Sequence, residues 1–167
     1  MNDLKEIFEK GRWYHCFRHD GLVSNGTYDI ANYMEHYGFD KDYSGKTVLD
    51  VGCSDGYFSV WMKEHGAEKV LGVDSNKYDG SLAFAPSIAF KQAHEEKYAQ
   101  YADDYAAFHT VYERYGLTNS NKLLFMTKLM GLDVEFSNGS IYDLSSFGES
   151  DVVMCNDLLE HLRDPIT

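Results

Sequence analysis

The residues best placed to do chemistry cluster around a glycine-bearing turn. In Lys46-Thr-Val-Leu-Asp-Val-Gly-Cys-Ser-Asp-Gly-Tyr-Phe-Ser59, Gly52 and Gly56 bracket Cys53, Ser54 and Asp55, and Asp50 precedes them. Glycines between a strand and a helix let backbone N–H groups come close to a ligand at a helix N-terminus. The spacing is Gly-x-x-x-Gly, not the G-x-G-x-x-G that packs around a pyrophosphate. No Gly-Lys-Ser/Thr follows, which excludes a P-loop. Acids at Asp50 and Asp55 are poor neighbours for phosphate and suit a ligand with a cationic amino group and ribose hydroxyls. Asp74 lies 24 residues after Asp50, where an acid at the end of the next strand can accept from both ribose hydroxyls. A tight turn without a ligand, and a plain surface acid, are the bland alternatives.

These residues need a scaffold, and the pattern supplies one. Thr47 to Val51 is apolar or β-branched except for Asp50, as in a central strand covered on both faces. A helix over about 56–65 places Phe58, Trp61 and Met62 on one face, and Gly66 ends it. Lys69 to Val73 is a second buried strand ending in Asp74, so the unit is βαβ and its strands should run parallel. Val134 to Phe136 is a third strand, Ile141 to Leu144 a turn beyond it, and Asp151 to Asn156 a fourth strand. Upstream, Leu4, Ile7 and Phe8 mark a short helix ending near Gly11, and Asp20-Gly21 is a turn signal. Thr27 is positioned to cap a helix whose Ile30, Tyr33, Met34 and Tyr37 would face inward. Asn119 or Ser120 opens another helix, which Gly131 ends. Residues 76–118 are far longer than an ordinary βα connection. In them Tyr98, Tyr101, Tyr105, Phe108, Tyr112 and Tyr115 recur at helical steps, either as a substrate-binding cap or as a hairpin packing its rings on the domain.

Composition bounds the function. With 167 residues, 44% hydrophobic and 15% aromatic, the chain can build one core of ordinary size. A net charge of -12 disfavours broad contact with nucleic acid or anionic membrane. Cys16, Cys53 and Cys155 are widely spaced, without a CxxC pair for zinc or a disulfide framework, so reduced buried thiols and no metal are expected. With no secretory signal pattern and no apolar run of membrane length, the expected location is cytoplasmic.

Taken together, these pieces resemble class I S-adenosylmethionine-dependent methyltransferases. Val48 to Gly56 resembles their first motif, Val70 to Asp74 the second, and Asp151 to Asn156 with Leu158 to Pro165 the fourth-strand motif and its sequel. Trp13-Tyr-His15 with Gly21 to Thr27 resembles the branch related to tRNA wobble-uridine carboxymethyltransferases. The resemblance covers about residues 12–78 and 119–167. It implies an α/β, Rossmann-like doubly wound sheet, incomplete at about four parallel strands, with a helical insertion after the second. A helical lid or preface over 1–45 would precede a cofactor domain over 46–167.

The resemblance also implies the site. S-adenosyl-L-methionine would be the cofactor, with Asp50, Gly52, Ser54 and Gly56 around its methionine part. Asp74 would hold the ribose, and Asn156 and Asp157 would floor the sulfonium. Cys53, Ser75 and Ile141 flank these positions and join the set. Where many members carry an acid after the third-strand glycine, Ser140 follows Gly139, so Ser140, a backbone group or Asp143 would meet the adenine. Ser54 replaces the second glycine of the usual motif. His161 and His15 are the candidate bases, with capping, core or structural roles as their alternatives.

The acceptor would be a small molecule or RNA, acidity favouring the former, with no membrane partner. The family sheet has about seven strands. Four here imply missing strands, or a homo- or hetero-oligomer covering the exposed edge. A non-catalytic cofactor-binding module is the rival reading, and a dehydrogenase a more distant one.

Overall fold

The computed structural model describes residues 2–11, 13–39, 42–74, 119–156 and 158. The 76–118 insertion with its tyrosine stripe, together with Ser75, Asp157 and His161, lies outside the described residues. Helix α1 (Asn2–Lys10) is followed by a hairpin of β1 (Arg18–His19) and β2 (Leu22–Val23), then a 3-10 helix over Ala31–Tyr37. The sheet domain follows as β3 (Thr47–Val51), α2 (Tyr57–Glu64), β4 (Lys69–Asp74), α3 (Asn119–Met130), β5 (Glu135–Asn138), a second 3-10 helix (Ile141–Phe147) and β6 (Val152–Met154).

Strands β3 to β6 form one sheet of order β5-β4-β3-β6, parallel at every pairing. Successive side chains of β3 enter opposite faces. Val48 joins a core with Val60, Met62, Val70, Leu123 and Met126, beneath α2 and α3. Leu49 and Val51 join Val73 on the other face, covered by Ile141, Leu144, Phe147 and Leu158. Burial on both faces explains why β3 and β4 read as near-continuous apolar runs. β5 runs from 135 to 138, further than its apolar pattern suggests, because its register with β4 carries pairing through Asp74 and Asn138. β6 is shorter than the apolar run. Asp151 before it is an anchor, with its Oδ2 accepting from the Thr47 N–H at 2.8 Å and the Thr47 hydroxyl at 2.9 Å.

The N-terminal segment shares the larger core. Phe8, Trp13, Phe17 and Met34 pack in one cluster with Tyr57, Phe58 and Leu123. Trp13 donates its indole N–H to the Ile7 carbonyl at 3.1 Å and meets Phe17 edge-on. Asp20 and Gly21 both take positive φ, 48° and 77°, the pair of left-handed residues that a two-residue hairpin turn requires. The expected helix capped by Thr27 is not formed. Residues 27 and 28 are instead bonded to the 13–16 stretch, with the Thr27 N–H on the Trp13 carbonyl and the Tyr28 N–H on the Tyr14 carbonyl. The coil that follows is 3-10, with three residues per turn. Only Met34 is buried in it, while Tyr33 and Tyr37 are each 57% exposed.

Gly26 lies across this crossing, where an added Cβ would fall 2.1 Å from the His15 carbonyl carbon. Gly21 has open space but φ +77°. In urea denaturation, Gly21→Ala should cost about 1 kcal/mol, the left-handed penalty alone. Gly26→Ala should cost at least about 2 kcal/mol, because backbone must move.

Candidate functional site

Strand order reverses beside β3, because β4 and β5 extend to one side and β6 to the other. In an open parallel sheet this switch point makes a crevice at the carboxyl ends. Those ends carry Gly52, Asp74, the Asn138–Ser140 stretch, and Cys155–Asn156. The ends of all four strands therefore lie along one rim.

The turn after β3 is left-handed at Gly52 (φ 77°), Ser54 (φ 50°) and Gly56 (φ 84°). Gly56 also has no room for a side chain, since a Cβ there would sit 2.2 Å from Leu123 Cδ1. Its backbone N–H groups were expected to face a ligand, and the structure corrects this. Gly52 and Cys53 donate to the Val73 carbonyl at 2.8 and 3.1 Å, and Gly56 donates to the Cys53 carbonyl at 2.8 Å. Ser54 donates to Asp74 Oδ2 at 2.7 Å. With these amides engaged, the turn forms no phosphate cradle from them.

The three acids have separate surroundings. Asp74 ends β4, half-buried, with one carboxylate oxygen holding the turn. Asp50 is 1% exposed beneath α2 and accepts from the Ser59 hydroxyl at 2.6 Å. Burial pushes its carboxyl up to about 6, with the nearby Asp74 charge adding and the Ser59 bond opposing. Asp50 thus presents no exposed face to the rim, and the Ser59 that bonds it is itself fully buried. Gly72, its register partner on β4, leaves the space that Ser59 Oγ and Cys53 Sγ occupy. Asp55 was expected beside the ligand. It is instead fully buried and turned to the N-terminal segment, where its Oδ1 lies 2.8 Å from His15 Nδ1. Burial alone would raise its carboxyl, but His15 outweighs that and holds it below its ordinary value.

The remaining predicted residues divide. Burial pushes the Cys53 thiol well up, so it serves as packing. Ser140 Oγ accepts from the Tyr142 N–H at 3.2 Å, capping the second 3-10 helix, and Ile141 packs against the Leu49–Val51–Val73 cluster. Asn156 is half-buried just past β6. Leu158 reaches back over Gly52, where a Cβ would meet it at 2.8 Å. His15 is buried between Tyr57 and Phe58, its ring 5.0 and 5.2 Å from theirs. Ser59, Gly72 and Leu158 were missed as site residues. Ser59 stands nine positions after Asp50 on the helix face that covers the strand, a spacing that reads as ordinary helix polarity. A separate cleft of about 120 Å³ lies between Cys16–Arg18 and the outer face of α2, and neither the glycine turn nor Asp74 lines it.

A parallel α/β sheet with a left-handed glycine turn at its switch point is a Rossmann-like fold. The chain belongs to the methyltransferase-domain family, whose profile matches residues 28–167. A tRNA U34 carboxymethyltransferase of Pseudomonas syringae pv. tomato is 33% identical over 105 residues, covering 63% of this chain and 27% of that protein. The ribosomal protein arginine N-methyltransferase rmt3 of Schizosaccharomyces pombe is 34% identical over 73 residues, covering 38% and 12%. The crystal structure of EvdMO1 superposes with a TM-score of 0.55 at 16% identity, over 98% of this chain and 29% of that one, a likeness of fold. The chain spans about a quarter of the length of the carboxymethyltransferases it matches over its longest stretches.

Asp50 gives the site a pH signature. Its folded carboxyl near 6 stands above the unfolded value of 3.8, so the protonated form favours folding and stability falls as pH rises from about 4 to 6. Asp50→Asn should therefore be more stable than the parent above pH 6, by up to about 3 kcal/mol, and show no advantage below about pH 4. Thermal melts across that range read this difference. Ser54→Gly should raise stability by up to about 1 kcal/mol, relief of the left-handed penalty being partly offset by unfolded-state entropy.

Proposed function

We propose that this chain binds S-adenosyl-L-methionine at the carboxyl ends of β3, β4 and β6 and serves a methyltransferase. The observation that carries the reading is the chemistry of the rim. The Gly52, Cys53, Ser54 and Gly56 amides are used inside the protein, while carboxylates stand at and beneath the rim. Such a site accepts hydrogen bonds and favours positive charge, which matches ribose hydroxyls, an ammonium and a sulfonium better than a pyrophosphate. Asp74 would hold the ribose hydroxyls. Asp50 would add negative potential under the methionine part. Asn156, with Asp157 beside it, would floor the reacting centre, and Ser75 and Ser140 would border the nucleoside. The bound cofactor supplies an activated methyl group; the protein aligns the acceptor and excludes water.

A base is needed only where the acceptor must lose a proton. His161 holds that role in this reading. His15 does not, because its ring is enclosed and its Nδ1 is committed to Asp55. The acceptor is a small molecule before RNA, since a net charge of -12 opposes a polyanion. The tRNA-modifying relatives keep RNA in the substrate panel. Among the described residues no helix is long and apolar enough to cross a membrane.

Calorimetry with S-adenosylhomocysteine tests the cofactor. The parent should give a saturable heat and a thermal upshift, and Asp74→Ala should weaken binding by about tenfold or more, the scale of a lost hydrogen bond to a charged group. A parent with neither heat nor upshift overturns the proposal. A panel of small-molecule and RNA acceptors then separates a methyltransferase from a binding module.

A further inference from the structure

We infer that the N-terminal segment over 13–28 sets the shape of the cofactor turn, with His15 as its positioning residue acting through Asp55. The turn is only partly self-supporting, through the bond from the Gly56 N–H to the Cys53 carbonyl. Gly52, Ser54 and Gly56 are all left-handed, and Ser54 has a side chain that disfavours this region. Neighbouring residues are tied in different directions. Ser54 is bonded to Asp74 on β4. Asp55 takes the N–H groups of Tyr14 and His15 on Oδ2 at 2.9 and 2.8 Å, and His15 Nδ1 on Oδ1 at 2.8 Å. A carboxylate can only accept, so Nδ1 carries the proton. Lys122 on α3, also buried, adds a favourable charge to the same carboxylate.

The platform behind His15 is itself held. Cys16 donates its N–H to the Tyr28 carbonyl at 2.9 Å, and the Ser24 hydroxyl donates to the His15 carbonyl at 3.1 Å. Gly26 permits the close crossing of these strands. The His15 ring packs between Tyr57 and Phe58, the first residues of α2. Releasing the Nδ1 bond leaves a fully buried carboxylate with one oxygen short of its donor, and the least strained response is for Asp55 to turn. That motion pulls on Ser54, whose amide holds Asp74. The N-terminal segment therefore reaches the Asp74 carboxylate through two consecutive turn residues, Asp55 and Ser54. The effect on affinity rests on the cofactor reading above; the effect on the turn does not.

The test compares His15→Phe, which keeps a ring against Tyr57 and Phe58 but loses the donor, with His15→Asn, whose amide N–H replaces Nδ1–H. S-adenosylhomocysteine affinity should fall about tenfold in His15→Phe and recover to within about threefold in His15→Asn. Hydrogen exchange at the Ser54 and Gly56 amides should accelerate in His15→Phe and return toward the parent in His15→Asn. His15→Leu, which also removes the donor, replaces His15→Phe if that variant does not fold. Unchanged affinity and unchanged turn exchange, with only a lower melting temperature, overturn the inference. If the parent itself gives no heat with S-adenosylhomocysteine, the cofactor reading fails, and turn exchange alone decides whether His15 positions the turn.

Discussion

A chain that places a serine in the left-handed region, at Ser54 between Gly52 and Gly56, has to be held from outside, because only the glycines enter that region without penalty. Each external tie comes from a different part of the molecule. The end of β4 accepts from Gly52 and Cys53 through the Val73 carbonyl, and from Ser54 through Asp74. The N-terminal segment supplies the donors for Asp55. Helix α3 fills the space beside Gly56 with Leu123, which is fully buried. The core, the sheet and the N-terminal crossing thus converge on one short turn. This explains why an amino-terminal segment with little regular structure buries Trp13, His15, Phe17 and Ser24.

Asp50 and Asp55 show how position sorts identical side chains. Both are fully buried, and burial alone raises a carboxyl. Asp55 receives backbone and imidazole donors and is held low; Asp50 receives a single neutral hydroxyl and the field of Asp74, and is pushed up. Only Asp55 gains stability from its charge. Asp50 lowers stability when it ionises; in the proposed cofactor site it would add negative potential beneath the rim. A cationic ligand arriving there would offset the repulsion between Asp50 and Asp74, whereas an anionic one would add to it.

Much of this was legible in the sequence, and the gaps have physical causes. The βαβ unit, the parallel sheet and the strand end at Asp74 follow from apolar runs and turn glycines, which report burial directly, whereas the fourth strand stops at Met154, short of the expected Asn156. The helix expected after Thr27 failed because residues 27 and 28 are consumed by pairing with the 13–16 stretch, a long-range event that periodicity does not encode. Asp55 was read toward the ligand because turn acids adjoin in sequence, yet neighbouring turn residues point to opposite sides. The share of Ser59 in the site was illegible for a related reason. A hydroxyl on a helix face is ordinary until the strand opposite proves to carry a buried acid and a glycine that makes room.

Ser54 joins the two sides of the turn. Ser54 takes φ 50°, where a side chain costs about 1–2 kcal/mol, and it does so one residue before a carboxylate bonded to the N-terminal segment. A glycine at 54 would relax that strain but widen the conformations open to the turn. With serine, the chain has fewer alternatives, and those it has are closed by Asp74 on one side and Asp55 on the other. The strained Ser54 is held between two bonded carboxylates, which in the proposed cofactor site would favour one arrangement of Asp74. Preorganisation of that kind lowers the entropy lost on binding, and it makes the distant His15–Asp55 contact part of the site's geometry.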